Sequence, residues 1–316
     1  MVQETSKVLE GHHLAGHLGN LTPEQEQAFA TFKENLTAAG LYTPATEDTK
    51  ASHEDTTVLR FLRARSFNLA AAQKQFAEAE AWRKKLDVTK LYEDLSPDDM
   101  THSQRFYPRW TGRRDKLGVP LFVYRLASLE PIQHELDAIP AQTRYHRIVA
   151  LYEFMTRFTF PLCSHIPHAA APTPISSTMT IIDLEKVSFG SMWRLRHHLQ
   201  EASRLSTANY PETLHAIAVV NSPSFFPTIW NWIKGWFDEG TRQKIHVLGK
   251  DPGSTLLELV HAHDLPAAYG GELEWKFEDD PHLDSDTKEV VGDAIPKGPV
   301  AFVDGAVVQL PTTKAT

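Results

Sequence analysis

The sequence predicts an α/β fold, an all-helical lobe followed by a mainly parallel sheet, and two patterns carry that expectation. From Gly118 onward, four short β-rich runs alternate with amphipathic helical stretches, the alternation that gives a parallel sheet with crossover helices. Ahead of them, the strongest segments read as capped helices. A length of 316 residues suits one α/β domain with appendages, and 41% hydrophobic content is enough for a sizeable core.

In order, Thr22-Pro23-Glu24 reads as an N-cap, a first-turn proline and an acid that favours the helix dipole, opening a helix that runs to about Ala39 and stops at Gly40. A polar linker leads to Asp55–Leu86, a helical hairpin in which Asp55 and Asn68 are the expected caps. Arg60, Arg63 and Arg65 crowd between apolar residues at the end of the first of these helices. Such a cluster is either a solvated basic face or a set turned inward to a phosphate or carboxylate. The β-rich runs are 119–126, 177–184, 215–222 and 244–249, with helices expected near 141–162, 189–206, 224–237 and 254–262. After Trp275, an acidic stretch and a Gly/Pro/Val tail read as a loosely packed extension.

The helix-length segment from Phe225 sets three of seven tryptophans together. At 100° per residue, Phe226, Ile229, Trp230, Ile233, Trp236 and Phe237 share one arc, and Phe225 and Trp232 widen it. That is more apolar face than packing on one side requires. It is either a buried core helix or a helix covering an apolar cavity on one side and meeting a membrane on the other. The Asp238-Glu239-Gly240 turn is expected to end it, with Gly240 as the hinge if the helix moves.

Several function classes drop out. Forty acidic against 32 basic residues, a net charge of −8, give no global basic field for nucleic acid, so an anionic partner must be met by a local patch. GxGxxG, GxxxxGK[ST] and GxSxG are all absent, which removes the usual nucleotide anchors and the hydrolase elbow. Histidines in HLAGH, SHIPH and HAHD lack a joint zinc spacing, so no metal is expected. The lone Cys163 fits a reducing compartment. With no signal-peptide layout at the N-terminus and no apolar run near 20 residues, the expectation is a cytoplasmic protein that touches membranes from outside.

RFLRARSFNLAAAQ, IIDLEKVSF, EASRLSTANYPETLHAIAVVNSPSFF, TRQKIHVLG and LPAAYGGELEW, together with the tryptophan-rich segment, resemble the CRAL-TRIO lipid-binding family over roughly Asp55 to Trp275. The resemblance implies five strands flooring a large apolar lipid pocket, closed by a mobile gate helix, and a non-enzymatic lipid exchanger. It implies domains at 1–50 (an extension with a short helix), 51–100 (helical lobe), 101–276 (lipid-binding domain) and 277–316 (tail). It also implies that Arg65, Glu212, Thr241 and Lys244 hold a phosphatidylinositol headgroup. For phosphatidylcholine, Tyr152, Thr178, Thr180 and Ser206 match, while Thr111 and Phe122 stand where the family's choline cage has tyrosines. Ser66 stands where the family often has a lysine. Phospholipid is thus the expected ligand, with no cofactor and no nucleic acid partner, for a monomer in transient contact with Golgi or endosomal membranes. The alternative is another hydrophobic ligand, such as a sterol, squalene, a retinoid-like molecule or haem.

Overall fold

The computed structural model describes residues 14–236 and 239–310. Helix α1 (Pro23–Ala38) opens with a reciprocal capping box: Gln25 N–H donates to the Thr22 hydroxyl and Thr22 N–H to the Gln25 side chain. It ends where Gly40 takes a left-handed φ of 68°. Its buried Phe29, Phe32 and Leu36 share a separate core with α2 (Asp55–Arg63) and α3 (Leu69–Leu86), where Phe76 meets Phe61 and Phe32 edge-on at 5.0 and 6.4 Å. Thus α1 belongs to the lobe rather than to an extension in front of it. Asn68 caps α3 as expected. Asp55 does not cap α2: it is the first helical residue and pairs with Lys33 at 3.1 Å, fastening α1 to α2.

Helices α4 (Val88–Glu93) and α5 (Pro97–Gln104) lead into the sheet. Its strands are β1 (Arg109–Arg114), β2 (Pro120–Arg125), β3 (Thr178–Asp183), β4 (Leu214–Val220) and β5 (Ile245–Gly249), adjacent in sequence order. Only β1 and β2 are antiparallel. Between β2 and β3 run α6 (Gln133–Ala138), α7 (Ala141–Phe154), a π-helical turn Met155–Thr159 and α8 (Phe160–His165). The β3–β4 crossover is α9 (Phe189–Asn209), and the β4–β5 crossover holds α10 (Phe226–Ile233) and α11 (Glu239–Gln243). Because strand side chains alternate between faces, Leu121, Val123, Met179, Ile181, Ala218 and Val220 enter the core on one side. Trp110, Phe122, Thr180, Ile217 and Ile245, paired in one row across all five strands, face the other.

Beyond β5 come α12 (Gly253–Leu259), α13 (Ser285–Val291) and the hairpin β6 (Val300–Val303) and β7 (Ala306–Gln309). The glycines of LPAAYGGELEW are there for packing. Gly270 has φ 95°, and a Cβ on Gly271 would run into the Leu265 carbonyl. The tail was expected to be loosely packed, but its described part, 277–310, is not: Leu283, Thr287, Val300 and Phe302 are buried, and the Tyr92 hydroxyl donates to Val300 O and accepts from Val300 N. Bulky residues at 300 and 302 give the hairpin an anchor that the surrounding Gly and Pro conceal in the sequence.

Candidate functional site

A cavity of about 560 Å³ lies between the sheet face that carries Phe122, Thr180 and Ile217 and a wall made by α7, α9 and α10. That volume suits a sizeable organic ligand. Its lining is mostly aliphatic and aromatic; one polar set, Ser206, Thr207, Tyr210 and Glu212, lies at and just after the C-terminal end of α9, and Thr101, Gln104, Arg109, Asp280 and Lys297 also line it. Residues 294–298 of the tail also line it.

All four residues of the expected headgroup set, Arg65, Glu212, Thr241 and Lys244, border this cavity. Helix α2 ends in a turn in which Phe67 N–H donates to Leu62 O at 2.9 Å, with Ser66 and Phe67 both at positive φ. This closure delivers Arg65 to the cavity and leaves Ser66 exposed outside its lining, so the missing lysine at that position does not alter the cavity wall. Glu212 takes a left-handed φ of 57° in the turn before β4, a conformation that costs a non-glycine residue about 1 kcal/mol or more. Its carboxylate meets Lys244 Nζ at 3.1 Å from the β5 side and Arg63 at 3.1 Å from the lobe. Lys244 also donates to Leu214 O at 3.0 Å. Arg63 and Lys244 share the single Glu212 carboxylate, so together with Arg65 these groups keep an excess of positive charge. Arg65 donates to Ala64 O and makes no ion pair among the described residues.

The arginine cluster therefore turns inward. Burial depresses Arg63, opposed by Glu212, and pushes Arg60, 5% exposed, down to about 10. Arg63 was legible as part of the cluster, but its partner Glu212 lies far along the chain and no local spacing marks it.

Tyr152, Thr178, Thr180 and Ser206 also border the cavity, next to the headgroup set. Tyr152 is stacked on Tyr210 at 4.8 Å with 16° between planes, which covers one of its faces, and its hydroxyl is bonded to Ser206. Burial, eased by that bond, raises the Tyr152 pKa. Thr111 does not face the cavity: it is fully buried and donates to Leu121 O at 3.0 Å. Its neighbour Trp110 supplies the aromatic surface instead, with Phe122 and Tyr124 beside it.

Sequence reading missed Tyr210, which lines the cavity and donates to Glu153 at 2.7 Å. Glu153 is 1% exposed and is gripped in bidentate fashion by Arg83 of α3 at 2.8 and 3.0 Å, so this triad joins the lobe to the cavity wall.

The tryptophan-rich segment is split between two environments. Phe226, Trp230, Ile233 and Trp236 line the cavity and Ile229 is buried, whereas Trp232 is 45% exposed. The regular helix is shorter than expected: α10 stops at Ile233, passes into a 3-10 turn Lys234–Trp236, and Gly240 sits in the first turn of α11 rather than in a turn leading to β5. Phe237 and Asp238 lie outside the described residues.

Residues 107–271 match the family model of the CRAL/TRIO domain, and residues 28–78 that of its N-terminal domain. The chain belongs to the CRAL/TRIO family. The Sec14 cytosolic factor of Schizosaccharomyces pombe is 32% identical over 82% of this chain and 86% of that protein. The SEC14 cytosolic factor of Candida glabrata is 31% identical over 83% of this chain and 82% of its own length. A phosphatidylinositol/phosphatidylcholine transfer protein of Arabidopsis thaliana, SFH9, is 33% identical over 81% of this chain and 42% of that protein. The crystal structure of Sfh5 matches with a TM-score of 0.61 at 18% identity, over 87% of this chain and 92% of that one, which supports the CRAL/TRIO fold. Among the described residues, no helix is long and apolar enough to cross a membrane.

Proposed function

We propose that this CRAL/TRIO protein is a non-enzymatic phospholipid exchanger whose principal ligand is phosphatidylinositol. The observation that carries the reading is the pairing of a deep apolar cavity with Arg65, a guanidinium without an ion-pair partner among the described residues, beside Lys244. A phosphodiester supplies the missing anion. Inositol hydroxyls fit the mixture of donors and acceptors at Thr241, Glu212 and Lys244, and acyl chains fill the interior at about 0.8 kcal/mol per CH₂ buried. A neutral sterol or squalene would leave Arg65 without an anion among the described residues, and Lys244 with only the Glu212 carboxylate that it shares with Arg63. Relatives named as transfer proteins and cytosolic factors support the same assignment. In this reading α10 is the gate, Gly240 contributes to its hinge, and the protein works as a monomer at the cytoplasmic face of Golgi or endosomal membranes, supplying phosphatidylinositol for phosphoinositide synthesis.

Phosphatidylcholine is a secondary ligand held by Tyr152, Thr178, Thr180 and Ser206. Its affinity is limited because the Tyr152 hydroxyl and one ring face are already engaged. Vesicle-to-vesicle transfer of the two lipids by Arg65→Ala tests the division. Phosphatidylinositol transfer is expected to fall about tenfold, the loss of one charge-assisted contact, and phosphatidylcholine transfer to change less than twofold. Equal losses would merge the two sites into one.

A further inference from the structure

A second, much smaller cavity of about 10 Å³ lies where the lobe meets the approach to β3. It is bordered by His17, by Thr56, Arg60 and Arg63 of α2, and by Ser176, and it shares no lining residue with the large cavity. Such a volume holds one particle of about water size. Arg60 is 5% exposed, and its Nε and Nη1 are buried without a hydrogen-bond partner among the described residues. Its Nη2 donates only to the Thr57 hydroxyl, at 3.4 Å. Burial pushes the Arg60 pKa down to about 10, which still leaves it charged at neutral pH, and Glu54 offsets that charge only from beyond ion-pair distance. A buried guanidinium in this state is costly unless an anion meets it.

The neighbouring groups deepen the imbalance. Arg63 borders the same cavity, and the one carboxylate it pairs with, Glu212, is shared with Lys244. His17 is 9% exposed, and its Nδ1 is buried without a partner among the described residues. Burial, with Arg63 and then Lys244 acting in the same sense, pushes the His17 pKa down to about 4, so the ring is neutral and carries one N–H. The Thr56 hydroxyl already donates to Glu54 at 3.3 Å, which leaves Ser176 as the hydroxyl donor of the cavity.

We infer that this small cavity is a binding site for a single monovalent anion of chloride size, held by the guanidinium groups of Arg60 and Arg63 with further donors from His17 and Ser176. Charge and size select the ligand. Water would satisfy the orphaned donors but not the charge, two guanidinium groups repel a cation, and a tetrahedral phosphate or sulfate needs more room than one water-sized particle. The site is independent of whatever fills the large cavity. Its place in the fold gives it a role: it joins the segment before α1, helix α2 and the segment before β3, beside the contact in which Asn20 donates to the Thr173 hydroxyl at 2.7 Å. A bound anion therefore fastens the lobe to the sheet domain and lets Arg63 reach Glu212 without leaving Arg60 uncompensated behind it.

The test is thermal unfolding of the full chain, dialysed into sodium chloride or into sodium gluconate at matched ionic strength. Chloride is expected to raise the midpoint saturably, by at least about 2 °C once the site is filled, and bromide to replace it. Arg60→Met is expected to lose this response, and Arg65→Ala, which borders only the large cavity, to keep it. Wild-type crystals grown in bromide are expected to show anomalous density between Arg60 and Ser176, a result that does not depend on the folding of any variant. Equal midpoints of wild type in the two salts would overturn the site, as would a chloride response kept in full by Arg60→Met. A side-chain carboxylate found on Arg60 in place of bromide would overturn it too. So would a response lost in Arg65→Ala and kept in Arg60→Met, since the anion would then belong to the large cavity.

Discussion

Lys244→Ala is expected to lower phosphatidylinositol transfer ten- to a hundredfold and to leave the fold intact. The amine stands just ahead of β5, bonded to Glu212 and to Leu214 O; in the proposed function it would meet the lipid phosphate and hold the carboxylate that would face the inositol ring. A hydrogen bond to a charged group contributes about 1.5–3 kcal/mol, which spans that range of transfer rates. Stability is spared because Glu212 keeps Arg63 at 3.1 Å, so no carboxylate is left unpaired. Transfer assays together with a thermal melt check both halves. Unchanged transfer would make Lys244 a structural partner of Glu212 and nothing more.

Arg83→Met carries the largest expected effect on stability. Burial opposes the Arg83 charge, but the bidentate bond to Glu153 overrides it and raises the guanidinium above its ordinary value. Removing the arginine strands a carboxylate that is 1% exposed with only the Tyr210 hydroxyl beside it. Breaking one side of a buried pair costs about 3–5 kcal/mol, a large share of the ~5–15 kcal/mol that holds a typical protein together. The double variant Arg83→Met/Glu153→Met is expected to regain most of that loss, because apolar replacement of both partners removes the unpaired charge. Urea denaturation of the two variants measures it. A loss under about 1 kcal/mol in the single variant would mean that water reaches Glu153.

What was legible follows from how local each signal is. The caps at Thr22 and Asn68, the alternating strands β2 to β5 and the apolar arc of α10 are written within a few residues of where they act, so short-range pattern sufficed. β1 was missed by residue pattern because RWTGRR looks polar: only Trp110, Thr111 and Gly112 are buried, and its arginines are spent on partners elsewhere, Arg109 on Phe277 O and Arg114 on Asp284. The resemblance to the family placed Arg65, Glu212, Thr241 and Lys244 in one site, and the cavity gathers all four. It could not place Arg63 on Glu212 or Arg83 on Glu153, pairings made by the docking of the lobe on the sheet domain. The choline positions show the limit from the other side. Thr111 was read as standing in place of a cage tyrosine, but strand alternation turns that position away from the cavity and brings Trp110 to it.

Mass spectrometry of the organic extract of the purified full-length protein tests the central claim most directly. The account predicts phosphatidylinositol as the enriched ligand, at close to one per chain, with phosphatidylcholine as the minor species and the phosphatidylinositol lost from Lys244→Ala. A sterol, squalene or haem in its place, or phosphatidylinositol retained unchanged by Lys244→Ala and Arg65→Ala, would contradict it.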